Sequence, residues 1–150
     1  MDYHIQKVNP EKYNKINNLW DISKNREMSK KWYDELLSGN RITFVCMERG
    51  EHLGQCDLVF DTNDPDYTIE NKRIYLSRMI VKPECRNRGI GNLLINYLSN
   101  YAKNLGYEEM SLGVDIINIG ARWLYERNGF TNIIFVGEDE RKYVKLLKIL

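Results

Sequence analysis

The hydrophobic and polar residues of this chain repeat in two rhythms, one typical of strands and the other typical of helices. Seven segments are rich in β-branched, aromatic or alternating apolar residues, which favours β-strands; they are residues 3–8, 41–49, 52–60, 73–81, 109–114, 131–136 and 142–147. Four segments carry apolar residues at every third or fourth position, which favours amphipathic helices; they are residues 10–20, 29–38, 91–105 and the stretch after Asn118. The predicted order is therefore β-α-α-β-β-β-α-β-α-β-β.

This order predicts an α/β fold of mixed α+β character. Antiparallel hairpins flank a strand–helix–strand unit, and a unit of that kind places its two strands in parallel. We therefore expect a central mixed, largely antiparallel sheet of about seven strands flanked by four helices. The length of 150 residues fits a single domain that spans residues 1–150.

The composition of the chain bears on which partners it could bind and in which cellular compartment it could act. The formal net charge is +1, so nothing indicates a nucleic-acid partner. The sequence shows neither a signal-peptide pattern nor an apolar run near the roughly 20 residues of a membrane span, so we expect a cytoplasmic protein without a membrane partner. The three cysteines lack Cys-x-x-Cys spacing and the two histidines lie far apart, so no metal site is predicted. The sequence leaves a homodimer open.

A glycine turn between the fourth predicted strand and the third predicted helix carries the clearest chemistry. The turn reads Arg86-Asn87-Arg88-Gly89-Ile90-Gly91 and runs into the helix at Asn92. Glycine lets a ligand approach the backbone closely, and the first turn of a helix offers unpaired N–H groups with a partial positive charge. Such a turn binds phosphate groups, with Arg86 and Arg88 as cationic donors. A solvent-exposed arginine is the alternative interpretation of Arg88.

Two blocks of the sequence resemble conserved motifs of the GNAT superfamily of acyl-coenzyme A-dependent N-acetyltransferases. Arg86, Gly89 and Gly91 occupy the fixed positions of its motif A, Gln/Arg-x-x-Gly-x-Gly/Ala. Residues 118–130 have the form of its motif B, Asn-x-x-Ala-x-x-Leu-Tyr-x-x-x-Gly-Phe. The resemblance covers residues 72–135 well and the remainder only by element order. It implies the GNAT fold and acetyl-coenzyme A as cosubstrate.

The resemblance also implies roles for individual residues. The coenzyme would be bound by the turn residues Arg86, Asn87, Arg88, Gly89, Ile90, Gly91 and Asn92, by the strand residues Met79, Ile80 and Val81, and by Asn118 and Tyr125. A backbone N–H of the strand would polarise the thioester oxygen, and Asn118 would bind the pantetheine amides, although it could equally cap its helix. Tyr125 matches the motif B tyrosine that protonates the leaving thiolate, and a phenol of pKa about 10 suits that step. Simple packing beside Leu124 is the alternative.

The general base is the part of the site for which the sequence offers no motif match. Some family members carry a glutamate on the strand before motif A, but the aligned residue here is Tyr75. Asp57, on the preceding strand, is the nearest acid within a strand, and we name it as the candidate base against the alternative of an edge or surface acid. The acidic loop (residues 61–70) contains Asp61, Asp64, Asp66 and Glu70. It either is solvated surface or attracts a cationic amine.

Together these observations predict an N-acetyltransferase that moves an acetyl group from acetyl-coenzyme A to a primary amine by direct attack in a ternary complex. The acceptor would be a small molecule or a peptide. The alternative is a non-catalytic coenzyme A-binding or protein-interaction module with the same fold. A nucleotide-binding domain is a weaker alternative, because the residues after Gly91 complete neither a Gly-x-Gly-x-x-Gly nor a Walker motif.

Overall fold

A computed structural model describes residues 2–11, 26–137 and 142–150. These residues form seven strands: β1 (His4–Lys7), β2 (Arg41–Glu48), β3 (Glu51–Val59), β4 (Arg73–Val81), β5 (Glu109–Asp115), β6 (Asn132–Val136) and β7 (Tyr143–Ile149). They also form three α-helices: α1 (Arg26–Ser38), α2 (Ile90–Asn104) and α3 (Ile119–Arg127). A short 3-10 turn, Pro83–Cys85, lies between β4 and α2.

The strands belong to one sheet in the order β1-β2-β3-β4-β5-β7-β6. The pair β4–β5 is parallel, whereas β1–β2, β5–β7 and β6–β7 are antiparallel. A mixed sheet of seven strands is therefore confirmed. The parallel pair is in register from Arg73 with Glu109 to Tyr75 with Ser111.

The number of helices differs from the prediction of four. Within the described residues there are three α-helices, and the predicted helix at residues 10–20 falls mostly on residues 12–25, outside the described part of the chain. Helix α1 begins at Arg26, three residues before the expected cap Ser29. Ser29 is buried within the helix and therefore is not its N-terminal cap. Helix boundaries inferred from a single residue are often displaced by a few positions.

Contacts group the chain into two compact units, each made of two segments. The first unit comprises Met1–Leu58 and Arg78–Leu94, and the second comprises Val59–Ser77 and Ile95–Leu150. In the first unit Val8, Leu36 and Val45 pack together with Met47. The fully buried side chains of the second unit include Leu98, Met110, Leu112, Phe130 and Leu146. The single domain spanning residues 1–150 stays a prediction.

None of the helices in the described residues is long and apolar enough to span a bilayer.

Candidate functional site

The glycine turn lies in the first unit and exposes its backbone. Hydrogen bonds from Cys85 N to the Lys82 carbonyl (2.9 Å) and from Arg86 N to the Pro83 carbonyl (3.3 Å) end the 3-10 turn, and the next bond runs from Leu93 N to the Gly89 carbonyl (3.0 Å). Between them, the N–H groups of residues 87–91 donate to no backbone carbonyl of the described chain. Residues 86–89 are all exposed. Residues 87–91 therefore present backbone N–H donors of the kind that an anion requires.

Two residues of this turn have positive φ angles. Asn87 has φ 63° and Gly89 has φ 82°. Asparagine tolerates this left-handed conformation better than most residues, and glycine adopts it freely. A Cβ added at Gly89 would meet no atom within 4 Å. Glycine is therefore favoured here by its backbone angle, since the protein itself leaves room for a side chain.

Gly54 sets the position of the α2 N-terminus, and our sequence analysis did not single it out. A Cβ on Gly54 would lie 3.0 Å from the Ile80 carbonyl oxygen and 3.1 Å from Ile90 Cγ2. Ile90 and Leu94, in the first turns of α2, are completely buried or nearly so. The absence of a side chain lets β3 approach the Ile80 carbonyl of β4 and the start of the helix closely. A glycine inside a strand is the available signal of such an approach.

The two arginines of the turn flank its free amides with positive charge. Both side chains are solvent-exposed. A hydrogen bond with Tyr3 raises the pKa of Arg88. Arg88 thus has a partner within the first unit and stays fully charged. Both interpretations of Arg88, a phosphate ligand and a surface residue, accommodate this contact.

The end of β4 carries Met79, Ile80 and Val81, and all three are half-buried. The residue before them, Arg78, has φ 55° although it lies within the strand. This left-handed conformation is costly for a non-glycine residue and persists only where surrounding contacts enforce it. The strand thus changes direction directly before the segment assigned to the thioester.

Asp57 supplies those enforcing contacts. Its Oδ2 atom lies 2.6 Å from Arg41 Nη1 and 3.1 Å from Arg78 Nε. The carboxylate is 0% exposed and both arginines are 5% exposed. Arg78 also stacks on Trp32 at 4.1 Å from the ring centroid, and Arg41 reaches Glu35 at 3.5 Å. We call Asp57, Arg41 and Arg78 the buried ion triad.

The triad does not suit Asp57 as a general base. Burial raises the pKa of Asp57, and the guanidinium groups of Arg78 and Arg41 oppose that shift. A base must reach the proton that it removes, directly or through one water. A carboxylate with no exposed surface and two bound guanidinium groups has no such access. Asp57 is also neither an edge nor a surface acid, which was the alternative interpretation.

Asn118 and Tyr125 lie in the second unit. The Asn118 side-chain oxygen accepts a hydrogen bond from Ala121 N at 3.2 Å, so Asn118 caps helix α3. Tyr125 is 8% exposed, and its ring meets Phe130 edge-on with 5.9 Å between centroids. The cap, which was the alternative interpretation of Asn118, is therefore present, and Tyr125 packs against Phe130, a partner other than the expected Leu124. Neither contact prevents the two residues from also binding the coenzyme.

The acidic loop, also in the second unit, is braced by ion pairs. Lys145 Nζ lies 3.0 Å from Oδ2 of Asp64 and 3.0 Å from Oδ2 of Asp66. The hydrogen bond from Lys145 lowers the pKa of Asp64 against the opposing effect of burial. These two acids therefore hold the loop in place, although their side chains stay 38% and 40% exposed. Our sequence analysis assigned no role to Lys145.

The predicted residues are thus divided between the two units. Residues 79–81, residues 86–92 and Asp57 lie in the first unit, whereas Asn118 and Tyr125 lie in the second. The described residues contain no group of side chains that could hold a metal ion.

Comparisons with known proteins point to one family. The chain is 37% identical over 90 residues to an uncharacterized N-acetyltransferase, MJ1207, of Methanocaldococcus jannaschii, a match that covers 58% of this chain and 38% of the relative. It thus matches less than half the length of that relative. Its fold is similar to that of an IAA acetyltransferase from Bacillus cereus, with a TM-score of 0.77, 18% identity, and 99% and 100% of the two chains covered. It is also similar to the PaiA N-acetyltransferase of Thermoplasma acidophilum, whose structure contains coenzyme A, with a TM-score of 0.72, 20% identity and full coverage of both chains.

The sequence profile of the Acetyltransferase (GNAT) family matches residues 9–130, which is most of the chain and includes both motif blocks. The chain belongs to the GNAT acetyltransferase family.

Proposed function

We propose that this protein is an N-acetyltransferase that transfers an acetyl group from acetyl-coenzyme A to a primary amine. The observation that carries the proposal is the turn before α2 in a chain of this family: residues 86–89 are exposed, and the N–H groups of residues 87–91 donate to no backbone carbonyl of the described chain. These amides would bind the pyrophosphate, and Arg86 and Arg88 would add positive charge. The coenzyme A bound to the similar PaiA structure supports this ligand.

The reaction would proceed by direct attack. The lone pair of the neutral amine forms a bond to the thioester carbon, and a backbone N–H among residues 79–81 stabilises the charge that develops on the carbonyl oxygen. The carbon–sulfur bond then breaks, and Tyr125 donates its phenolic proton to the departing thiolate. The amine nitrogen releases its surplus proton to solvent, and the Tyr125 phenolate takes up a proton from solvent. Asn118 would bind the pantetheine amides. We assign Asp57 to positioning rather than proton removal, because the triad holds Arg78 next to this segment.

A non-catalytic coenzyme A-binding module is the second candidate. The observation that favours it is the absence of an accessible base at two predicted positions: Tyr75 replaces the family glutamate, and Asp57 is enclosed by arginines. Release of free thiol from acetyl-coenzyme A in the presence of a panel of amines separates the two functions. The panel should include spermidine, kanamycin, lysine amide, a peptide with a free N-terminus and a neutral aromatic amine. Thiol release above the background rate supports the enzyme, and coenzyme A binding without turnover supports the module.

The binding turn is tested by replacing Gly89 with aspartate. The new carboxylate would stand where the pyrophosphate must approach, so we expect coenzyme A to bind at least about tenfold more weakly, which is about 1.4 kcal/mol. Isothermal titration calorimetry measures the dissociation constant.

Two variants control for backbone strain. Gly89→Asn imposes a similar conformational cost without the charge and should weaken binding less than Gly89→Asp. Gly39→Asp places the same residue at a similar φ of +84°, also with no atom within 4 Å of the new Cβ, but after α1. It should leave coenzyme A affinity unchanged. Equal affinity of folded Gly89→Asp and wild-type protein would remove residues 86–92 from the binding site.

The acidic loop has two acids outside the Lys145 cluster, Asp61 and Glu70, and we propose that both help to attract a cationic acceptor. Between 50 and 300 mM salt, kcat/KM for such an acceptor should fall about two- to threefold, because salt screens exposed charges. The double variant Asp61→Asn/Glu70→Gln should respond less to salt and bind coenzyme A normally. An identical salt response in both proteins would show that these two acids do not guide the acceptor.

A further inference from the structure

We infer that Tyr67 binds the acceptor amine, and that Lys145, with Asp64 and Asp66, is the clamp that holds Tyr67 in place. The inference rests on the proposed function, because it assigns a residue to the acceptor side of that reaction. All four residues lie in the second unit. The name clamp is used below for Lys145, Asp64 and Asp66.

Tyr67 stands at the carboxyl end of the parallel strand pair. The last residues in parallel register are Tyr75 and Ser111, and Gly113 lies two positions further along β5. A Cβ at Gly113 would be 2.5 Å from the Tyr67 hydroxyl oxygen, so the phenol occupies the space where any other residue would have its side chain. In α/β sheets, ligands bind beyond the carboxyl ends of parallel strands. The Tyr67 hydroxyl is therefore positioned where a substrate is expected.

Two contacts hold the Tyr67 ring, while no described residue hydrogen-bonds its hydroxyl. The ring packs against Tyr75 with 4.5 Å between centroids, and Lys145 Nζ lies 4.7 Å from the ring centre. The hydroxyl forms no hydrogen bond with the described part of the chain. A half-buried phenol normally finds a partner for its polar end. This hydroxyl is thus available to a ligand.

The clamp fixes the loop that carries Tyr67. Lys145 is 8% exposed on its side chain and bonds both carboxylates, while Ser111 Oγ donates to the Tyr67 carbonyl at 2.6 Å. Arg73 Nη1 adds bonds to the carbonyls of Pro65 (3.1 Å) and Asp66 (3.0 Å). A loop joined to β4, β5 and β7 in this way loses little further entropy when its residues bind a substrate.

The charge at this position favours a cation. Two carboxylates and one ammonium leave the clamp with a net charge of about −1. Burial raises the pKa of Tyr67 to about 12, so the phenol stays neutral at working pH and its oxygen can accept a hydrogen bond. An N–H group on a positively charged acceptor suits both properties. The structure therefore assigns this position to a primary ammonium compound rather than to a neutral aromatic amine.

The test is Tyr67→Phe, which keeps the ring and removes only the hydroxyl. We expect KM for the acceptor to rise about tenfold, the range for one lost hydrogen bond to a charged group, while kcat changes less than about twofold. The affinity for coenzyme A should stay unchanged. The acceptor is whichever of spermidine, kanamycin or lysine amide the wild-type protein acetylates fastest. Tyr107→Phe is the matched control, because Tyr107 precedes β5 at its opposite end and packs against Phe60; it should behave as wild type.

The clamp is tested by Lys145→Met. The variant should raise the acceptor KM as Tyr67→Phe does and should speed hydrogen exchange in residues 61–70. The double variant Tyr67→Phe/Lys145→Met should raise the acceptor KM no further than Tyr67→Phe alone, because Lys145 acts only by positioning the hydroxyl that Tyr67→Phe already removes. Lys145→Arg, which keeps the charge and both ion pairs, should restore most of the affinity. If Lys145→Met does not fold, the acceptor KM of Tyr67→Phe alone decides whether Tyr67 binds the acceptor.

The outcomes separate the inference from the proposed function. An active wild-type enzyme with an unchanged acceptor KM in Tyr67→Phe overturns the inference and leaves the proposed function intact. A neutral aromatic amine as the best acceptor also overturns it. Coenzyme A binding without turnover of any amine overturns the proposed function, and the inference with it.

Discussion

Replacing Asp57 with asparagine is expected to lower the free energy of unfolding by about 3 kcal/mol or more, the range for a buried ion pair that loses one partner. The substitution keeps the volume of the side chain but leaves Arg41 and Arg78 as like charges, each 5% exposed. Glu35 lies 3.5 Å from Arg41 and compensates part of the charge of Arg41, but not the charge of Arg78. Urea unfolding measures the change. A lower midpoint concentration with an unchanged m-value shows a loss of stability without a change in the compactness of the folded or unfolded state.

Asp34→Asn is the matched control, because it makes the same chemical change on the exposed face of α1. It should alter the free energy of unfolding by less than about 0.5 kcal/mol. The comparison also decides the role of Asp57. If Asp57→Asn keeps full stability and coenzyme A affinity but loses turnover, Asp57 is the general base and the structural assignment is wrong.

The exposed turn before α2 could be predicted because its signals are local in sequence. Two glycines, two arginines and the start of a helix all fall within seven residues, and each contributes through its own backbone or charge. The β2–β3 hairpin was predictable for the same reason. Arg49 and Gly50 have φ angles of 51° and 80°, which is the pair of positive angles that a two-residue hairpin turn requires.

The buried ion triad and the clamp could not be predicted, because their partners are distant in the chain. Lys145 and Asp64 are 81 residues apart, and nothing in the pattern around either residue indicates the other. The acids at 61–70 are polar and lie between strands, which favours a solvated loop until the partner on β7 is known. Asp57 likewise depends on Arg41 and Arg78, which reach it from neighbouring strands. The sequence gives the net charge of such groups but not their pairing.

Tyr125→Phe should reduce kcat about 100-fold, since general acid catalysis contributes 10²–10⁴-fold, while coenzyme A affinity is unchanged. Phenylalanine keeps the edge contact with Phe130 at 5.9 Å and removes only the phenolic proton. Steady-state rates of thiol release give kcat, and single-turnover rates establish that chemistry limits it. Tyr97→Phe on α2, which is 41% exposed, is the control and should keep the wild-type rate.

The leaving group provides a second and more specific readout. An acetyl thioester of an acidic aromatic thiol expels a stable thiolate that does not need a proton. If Tyr125 is the general acid, the roughly 100-fold difference between wild type and Tyr125→Phe should shrink toward unity with this donor, because the step it assists no longer requires assistance. A tyrosine that only packs against Phe130 would instead change both donors equally, through a general loss of structure. A wild-type rate in Tyr125→Phe with acetyl-coenzyme A, under conditions where chemistry is rate-limiting, would restrict Tyr125 to packing.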